Sequence, residues 1–202
     1  FTNNQIKLFK NIVSVLEKVG FNFKYKHISA TSGGSLIKDP YFNLIRLGLG
    51  LYGYSPFGPH TNVGRKQREI LKPALTFTSR LALIKQIKSG NQVGYDGTYT
   101  AKQNENIGIL TAGYFEGIPW KLSNNISFLL NQKKSPVIGN IAMNMTTIKI
   151  PRTVNAKIGD KVTIISPNIN EPCSLYKIAD MLNTPLYTIL TGLHSSIRRV
   201  TI

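Results

Sequence analysis

Between Gln5 and Val19, apolar residues recur at Ile6, Phe9, Ile12, Val13, Val15, Leu16 and Val19, with polar residues on the reverse face. That spacing predicts an amphipathic helix, and Gly20 supplies the residue that commonly ends one. A short run closing on Lys26-His27-Ile28 reads as a strand. The small-residue stretch SATSGG, 29–34, reads as a loop. A helical piece around Tyr41 to Leu44 and a Gly-punctuated apolar run from Ile45 to Tyr52 follow. Helix, strand, loop, helical piece and strand, in that order, are the rhythm of an α/β unit with parallel strands. Pro56 to Pro73 is rich in Pro, Gly and charge and reads as a linker.

Beyond residue 70 the texture changes. Ala74 to Lys88 largely alternates, and further strands are predicted at 92–99, 107–114, 127–130, 137–150 and 161–165, separated by Gly, Asn or Pro. Helices are expected at Leu175 to Leu182 and Pro185 to Leu193, and a last strand at 198–202. Short strands at such spacing suggest a β-barrel or sandwich. Within VGYDGTYTA, 93–101, the Asp96-Gly97 pair is a hairpin-turn signal, because both residues tolerate positive φ. A turn needs only small or polar residues, so Tyr95 just before this pair is either packing or a hydroxyl held out for use.

Composition narrows the classes. The chain has 202 residues, enough for one large domain or two small ones, and 42% hydrophobic residues, enough for a packed core. The formal net charge is +16, from 25 Lys and Arg against 9 Asp and Glu. The densest basic spots are 65–68, 133–134 and 198–199, and none interleaves with aromatics as a base-stacking platform would. The charge therefore reads as a diffuse surface, with no nucleic-acid partner. The single cysteine, Cys173, forms no internal disulfide, which fits a reducing compartment. No apolar run approaches the roughly 20 residues that span a bilayer, so no membrane is expected. The start, FTNNQIKLFKNIV, has neither an initiator Met nor a signal-peptide pattern, and residue 1 reads as a point inside a longer chain.

Several motifs in order resemble the later part of alanine racemase. They are HISATSGG (27–34), IRLGLGLYG (45–53), LKPAL (71–75), VGYDGTYTA (93–101), GYFEG (113–117), LSN (122–124), VIGNIAMNM (137–145), GDKV (159–162) and YTILTGLHSSIRRV (187–200). The resemblance implies the C-terminal part of a (β/α)8 TIM-like barrel over residues 1–70, followed by a mostly-β, barrel-like domain over 71–202. It implies pyridoxal 5′-phosphate as cofactor, L- and D-alanine as substrates, a cytoplasmic setting and a role in peptidoglycan synthesis. It also implies a homodimer in which one subunit's β domain completes the other's site. The family also occurs fused behind a peptidoglycan-precursor ligase. The family's cofactor-holding lysine falls on a strand that would precede residue 1, so the chain alone is expected to be inactive. No metal is implied.

By the same resemblance, Tyr95 is the catalytic tyrosine that exchanges a proton with the alanine Cα. Arg46 faces the cofactor's ring nitrogen, where an arginine donates and disfavours the protonated ring, and His27 stands near it. Thr31, Ser32, Gly48 and Leu49 cradle the phosphate. The family's loop serine falls on Thr31 without a gap and on Ser32 after a shift of one. Ser195 offers a further hydroxyl to the phosphate. Tyr114 is the gate tyrosine at the entry, and the Met143 N–H meets the substrate carboxylate. Phe115, Glu116 and Asn144 depart from the family's Ala, Asp and Asp. Two other readings are a catalytically degraded cofactor-binding or structural homologue and a basic RNA-binding β-barrel module.

Overall fold

The computed structural model describes residues 1–58 and 60–201. Pro59, inside the expected linker, and Ile202, at the end of the expected last strand, lie outside the described residues. The chain divides into two compact units, Phe1–Pro73 and Ala74–Ile202.

In the first unit, α1 (Thr2–Lys18) ends at Val19, and Gly20 takes a φ of +98°. The helix buries Val13 and half-buries Ile6, Phe9 and Leu16. Leu8, Ile12, Val15 and Val19 form a second stripe that is exposed. The expected single apolar face is thus two stripes, of which one is covered. Phe9 packs on Phe42 with ring centroids 5.5 Å apart.

The run ending at Ile28 is extended but forms no regular strand. It lies beside residues 43–46, joined where the Asn43 N–H donates to the Lys26 carbonyl (3.1 Å) and the Arg46 N–H to the Ser29 carbonyl (3.0 Å). The Asn43 side chain takes the Lys26 N–H (2.8 Å) and donates to the Lys24 carbonyl (2.9 Å), in place of ladder bonds. The small-residue stretch is not a loop throughout. It opens a short helix, α2 (Thr31–Leu36). Tyr41–Leu44 is not helical, because the Asp39 carboxylate accepts the Tyr41 N–H (3.0 Å) and makes a turn there.

The expected strand 45–52 stays extended only to Leu47 and then becomes a 3₁₀ turn, Leu49–Tyr52. Gly53 closes that turn at φ +76°, where a Cβ would sit 1.9 Å from the Lys72 carbonyl oxygen, so only glycine fits. The expected linker contains α3 (Asn62–Ile70), whose cap is the Thr61 hydroxyl accepting the Gly64 N–H at 3.0 Å.

In the second unit, β1 (Phe77–Ile87), β4 (Glu105–Leu110), β5 (Ser127–Leu130), β6 (Lys133–Pro136), β7 (Thr146–Lys149) and β8 (Lys161–Ile165) form one antiparallel sheet in the order β6-β5-β8-β1-β4-β7. A bridge between Val137, just past β6, and Ile148 on β7 joins its two ends, so the sheet is a nearly closed barrel. Alternation along the strands sends Leu81, Leu110, Phe128, Leu130, Ile148, Val162 and Ile164 into the core. β2 (Gln92–Val93) and β3 (Tyr99–Thr100) form a separate hairpin.

Helix α4 (Leu175–Leu182) is capped by Ser174 and buries Leu175 and Ile178, and α5 (Leu186–Gly192) follows. The expected strand 137–150 is regular only at β7, because Gly139 turns the chain at φ +73°. Residues 198–201 form no strand. No helix among the described residues is long and apolar enough to cross a membrane.

Candidate active site

The sequence-derived candidates fall in both units, and each unit presents its own cluster. In the first, the Thr31 hydroxyl accepts the Gly48 N–H (3.0 Å) and the Gly50 N–H (3.4 Å). This clasp fastens the start of α2 to the turn after Leu47, and the Thr31 proton is left to donate. A Cβ on Gly50 would lie 2.7 Å from the Thr31 methyl, so glycine there permits the approach. Leu49 opens the 3₁₀ turn, where backbone N–H groups lack partners inside the turn. Ser32 is exposed beside Thr31.

Arg46 is exposed, and its guanidinium makes no hydrogen bond or ion pair among the described residues. His27 lies on the neighbouring extended segment, and its Nδ1 is buried without a hydrogen-bond partner. A buried ring nitrogen left unpaired is unfavourable.

In the second unit, Tyr95 stands on the turn between β2 and β3 and is 71% exposed. Gly94, Asp96 and Gly97 have φ of +79°, +62° and +56°, so the hairpin-turn reading of Asp-Gly holds at both positions. The turn lies against residues 139–140, where a Cβ on Gly94 would be 2.8 Å from the Asn140 nitrogen. The strip from Asn140 continues to Ala142 and Met143, whose carbonyls accept the N–H groups of Tyr114 (3.1 Å) and Phe115 (2.8 Å). Residues 139–143 thus support both the Tyr95 turn and the Tyr114 loop. Tyr114 is 50% exposed and Met143 52%. Ser195 is exposed on the turn after α5.

The departures have defined places. The Glu116 carboxylate accepts the Gly113 N–H at 2.7 Å. Phe115 packs on the His194 ring with centroids 4.3 Å apart. Asn144 is exposed.

Sequence reading missed the charged anchor of the hairpin. The Tyr99 hydroxyl donates to Glu105 (2.6 Å), and Lys149 donates to the other oxygen of the same buried carboxylate (2.6 Å). Burial pushes the Tyr99 phenol up to about 12, with the Glu105 hydrogen bond and charge adding to it. Burial alone would raise the Glu105 carboxyl, but the hydrogen bonds from Lys149 and Tyr99 and the charges of Lys149 and Arg152 outweigh it and hold the group below the ordinary carboxylate range. Among the described residues no cluster of three or more His, Cys, Asp and Glu is gathered to hold a metal ion.

Known proteins share the sequence and the fold. The family model for the alanine racemase C-terminal domain matches residues 74–201, and that for the N-terminal domain matches residues 1–56. The chain belongs to the alanine racemase family. It is 36% identical over 172 residues to alanine racemase of Borreliella burgdorferi, covering 84% of this chain and 45% of the relative. Among solved structures, alanine racemase of Clostridium difficile 630 in complex with cycloserine aligns with a TM-score of 0.86 at 26% identity, over 97% of this chain and 50% of that one. Alanine racemase of Bartonella henselae with covalently bound pyridoxal phosphate aligns with a TM-score of 0.78 at 27% identity, over 100% of this chain and 52% of that one. The chain therefore spans about half the length of the relatives it matches, in agreement with a partial barrel followed by the β domain. The RNA-binding and degraded-homologue readings gain no support from these relatives.

Proposed function

We propose that this chain is the part of a pyridoxal 5′-phosphate-dependent alanine racemase that carries the tyrosine side of proton transfer, interconverting L- and D-alanine for peptidoglycan synthesis. The observation that carries the reading is the outward presentation of Tyr95 on a glycine-bounded turn, with the Tyr114 loop held by the same strip, which ends at Met143. An exposed tyrosine in a family of enzymes is suited to a site that a second copy completes, so the working form is a homodimer.

The first unit's residues fit the cofactor. The unpartnered His27 nitrogen, the free Arg46 guanidinium and the Thr31 clasp supply polar groups of the required kinds. Arg46 would hold the ring nitrogen as an acceptor. The Thr31 hydroxyl and the Leu49 N–H, with Ser32, would meet the phosphate. The Gly48 N–H is committed to Thr31, so Gly48 serves the clasp. Once bound, the cofactor supplies an electron sink for the pair left when the alanine Cα loses its proton. Tyr95 accepts or returns that proton on one face. Met143 orients the carboxylate through its N–H, and Tyr114 narrows the entry.

The chain contains no residue matching the family's cofactor-holding lysine. Purified alone with pyridoxal phosphate it should not racemise alanine, and fused behind the first half of a relative it should. Turnover by the chain alone, or none by the fusion, would refute the reading.

A further inference from the structure

We propose that Asn140 is a positioning residue for Tyr95, acting through the backbone of the turn; the proposal rests on reading Tyr95 as the proton-transfer group. The Tyr95 ring is exposed, so its direction depends on the backbone that carries it. That backbone is unusual. Three of the four residues from Gly94 to Gly97 have positive φ, including Asp96, which has a side chain. Such a turn persists when its surroundings fix it.

Asn140 fixes it from both sides. Its Nδ2 donates to the Tyr95 carbonyl (3.2 Å) and to the Asp96 carboxylate (3.4 Å), while its Oδ1 accepts the Thr98 hydroxyl proton (3.3 Å). The Thr98 oxygen accepts from Asn124 Nδ2 (3.1 Å), and Asn124 Oδ1 accepts the Gly139 N–H (2.7 Å). The relay leaves the 139–140 backbone, passes through Asn124 and Thr98, and returns to Asn140. Every group in it donates or accepts in one direction, so the amide of Asn140 must do both. Gly139 permits the close approach, since a Cβ there would lie 2.6 Å from the Val93 carbonyl oxygen. The strip that holds Tyr95 also holds the Tyr114 loop, through the Ala142 and Met143 carbonyls.

Asn140→Asp is the test. It keeps shape and acceptor, loses the donor to Tyr95 and sets a second carboxylate against that of Asp96. In the 202-residue chain, exchange of the Gly97 amide, which donates to the Gly94 carbonyl across the turn, should quicken about tenfold, and Tyr95 backbone order should fall. Thr98→Val should act alike, and Thr98→Ser should restore the native values. In a racemising enzyme carrying these residues, Asn140→Asp should lower kcat about tenfold with KM unchanged, because the tyrosine is misplaced and binding is intact. Unchanged Gly97 exchange and Tyr95 order would overturn the proposal. A loosened turn with unchanged kcat, in an enzyme that Tyr95→Phe inactivates, would overturn it too. If Tyr95→Phe is itself silent, the racemase reading of Tyr95 fails and the exchange measurement alone decides whether Asn140 holds the turn.

Discussion

Ile12 and Phe128 are both large apolar residues in runs whose spacing announces burial, yet Ile12 is 50% exposed and Phe128 is 0% exposed. The difference belongs to the units they sit in. In the second unit the inner faces of the barrel strands are covered inside the unit, and the sheet returns almost to its own first edge. In the first unit, α1 covers one stripe and leaves Leu8, Ile12, Val15 and Val19 outside, and two extended segments meet at two backbone bonds rather than along a ladder. An amphipathic pattern specifies which side is apolar. The neighbours present decide how much of that side is buried.

The largest consequence concerns independent folding. Residues 74–202 alone should melt in one cooperative, calorimetrically visible transition, whereas residues 1–73 alone should show none. A cooperative melt of the shorter piece would remove the contrast between the units. Next in size, Phe128→Ala should lower stability by about 3–5 kcal/mol, while Ile12→Ala should change it by under about 0.5 kcal/mol. Denaturant titration of the whole chain, followed by probes in each unit, measures both.

The hairpin anchor gives a smaller effect. Glu105→Gln removes the charge that pairs with Lys149, and since the Lys149 side chain is one-third exposed the loss should fall at the low end for a buried pair, about 3 kcal/mol. The sign with pH follows from the carboxyl being held below its ordinary value. Its contribution is complete above the ordinary carboxylate pKa of 4.5 and fades as pH falls through the lower folded value. At the alkaline end, Tyr99 loses its contribution as pH rises from 10 towards about 12, because the unfolded chain ionises first. Within the same anchor, Tyr99→Phe should cost about 1.5–3 kcal/mol, the range for one hydrogen bond to a charged group. Equal acid sensitivity of native chain and Glu105→Gln would show that the carboxylate is not held as described.

The second unit was the more legible in sequence for the same reason that it is the better packed. The short apolar runs at 127–130 and 161–165, and helical spacing after Ser174, each coincide with the element found, because local pattern and tertiary burial agree there. β6 was missed because KKSP has no alternation and is an edge strand defined by its pairing with β5. α2 was missed because SATSGG resembles a loop, and its helix is held by the Thr31 clasp to a turn 17 residues away. α3 was hidden by the Pro and Gly before Thr61, which end where the cap begins. At the candidate site, the Asp-Gly signal marked the Tyr95 turn. Asn124, Thr98 and Asn140 lie in three separate motifs, and nothing in the sequence linked them, since they meet across 26 and 42 residues of chain.

The central claim is that Tyr95 transfers a proton. In a racemising enzyme carrying these 202 residues, Tyr95→Phe removes the hydroxyl and keeps the ring. Solvent-deuterium incorporation at the alanine Cα, followed separately from each enantiomer, measures the loss. Incorporation starting from L-alanine should fall by about 10²–10⁴-fold, the effect of losing a general acid–base group, while incorporation from D-alanine persists. Equal and undiminished incorporation from both enantiomers would contradict the account and make Tyr95 a turn residue.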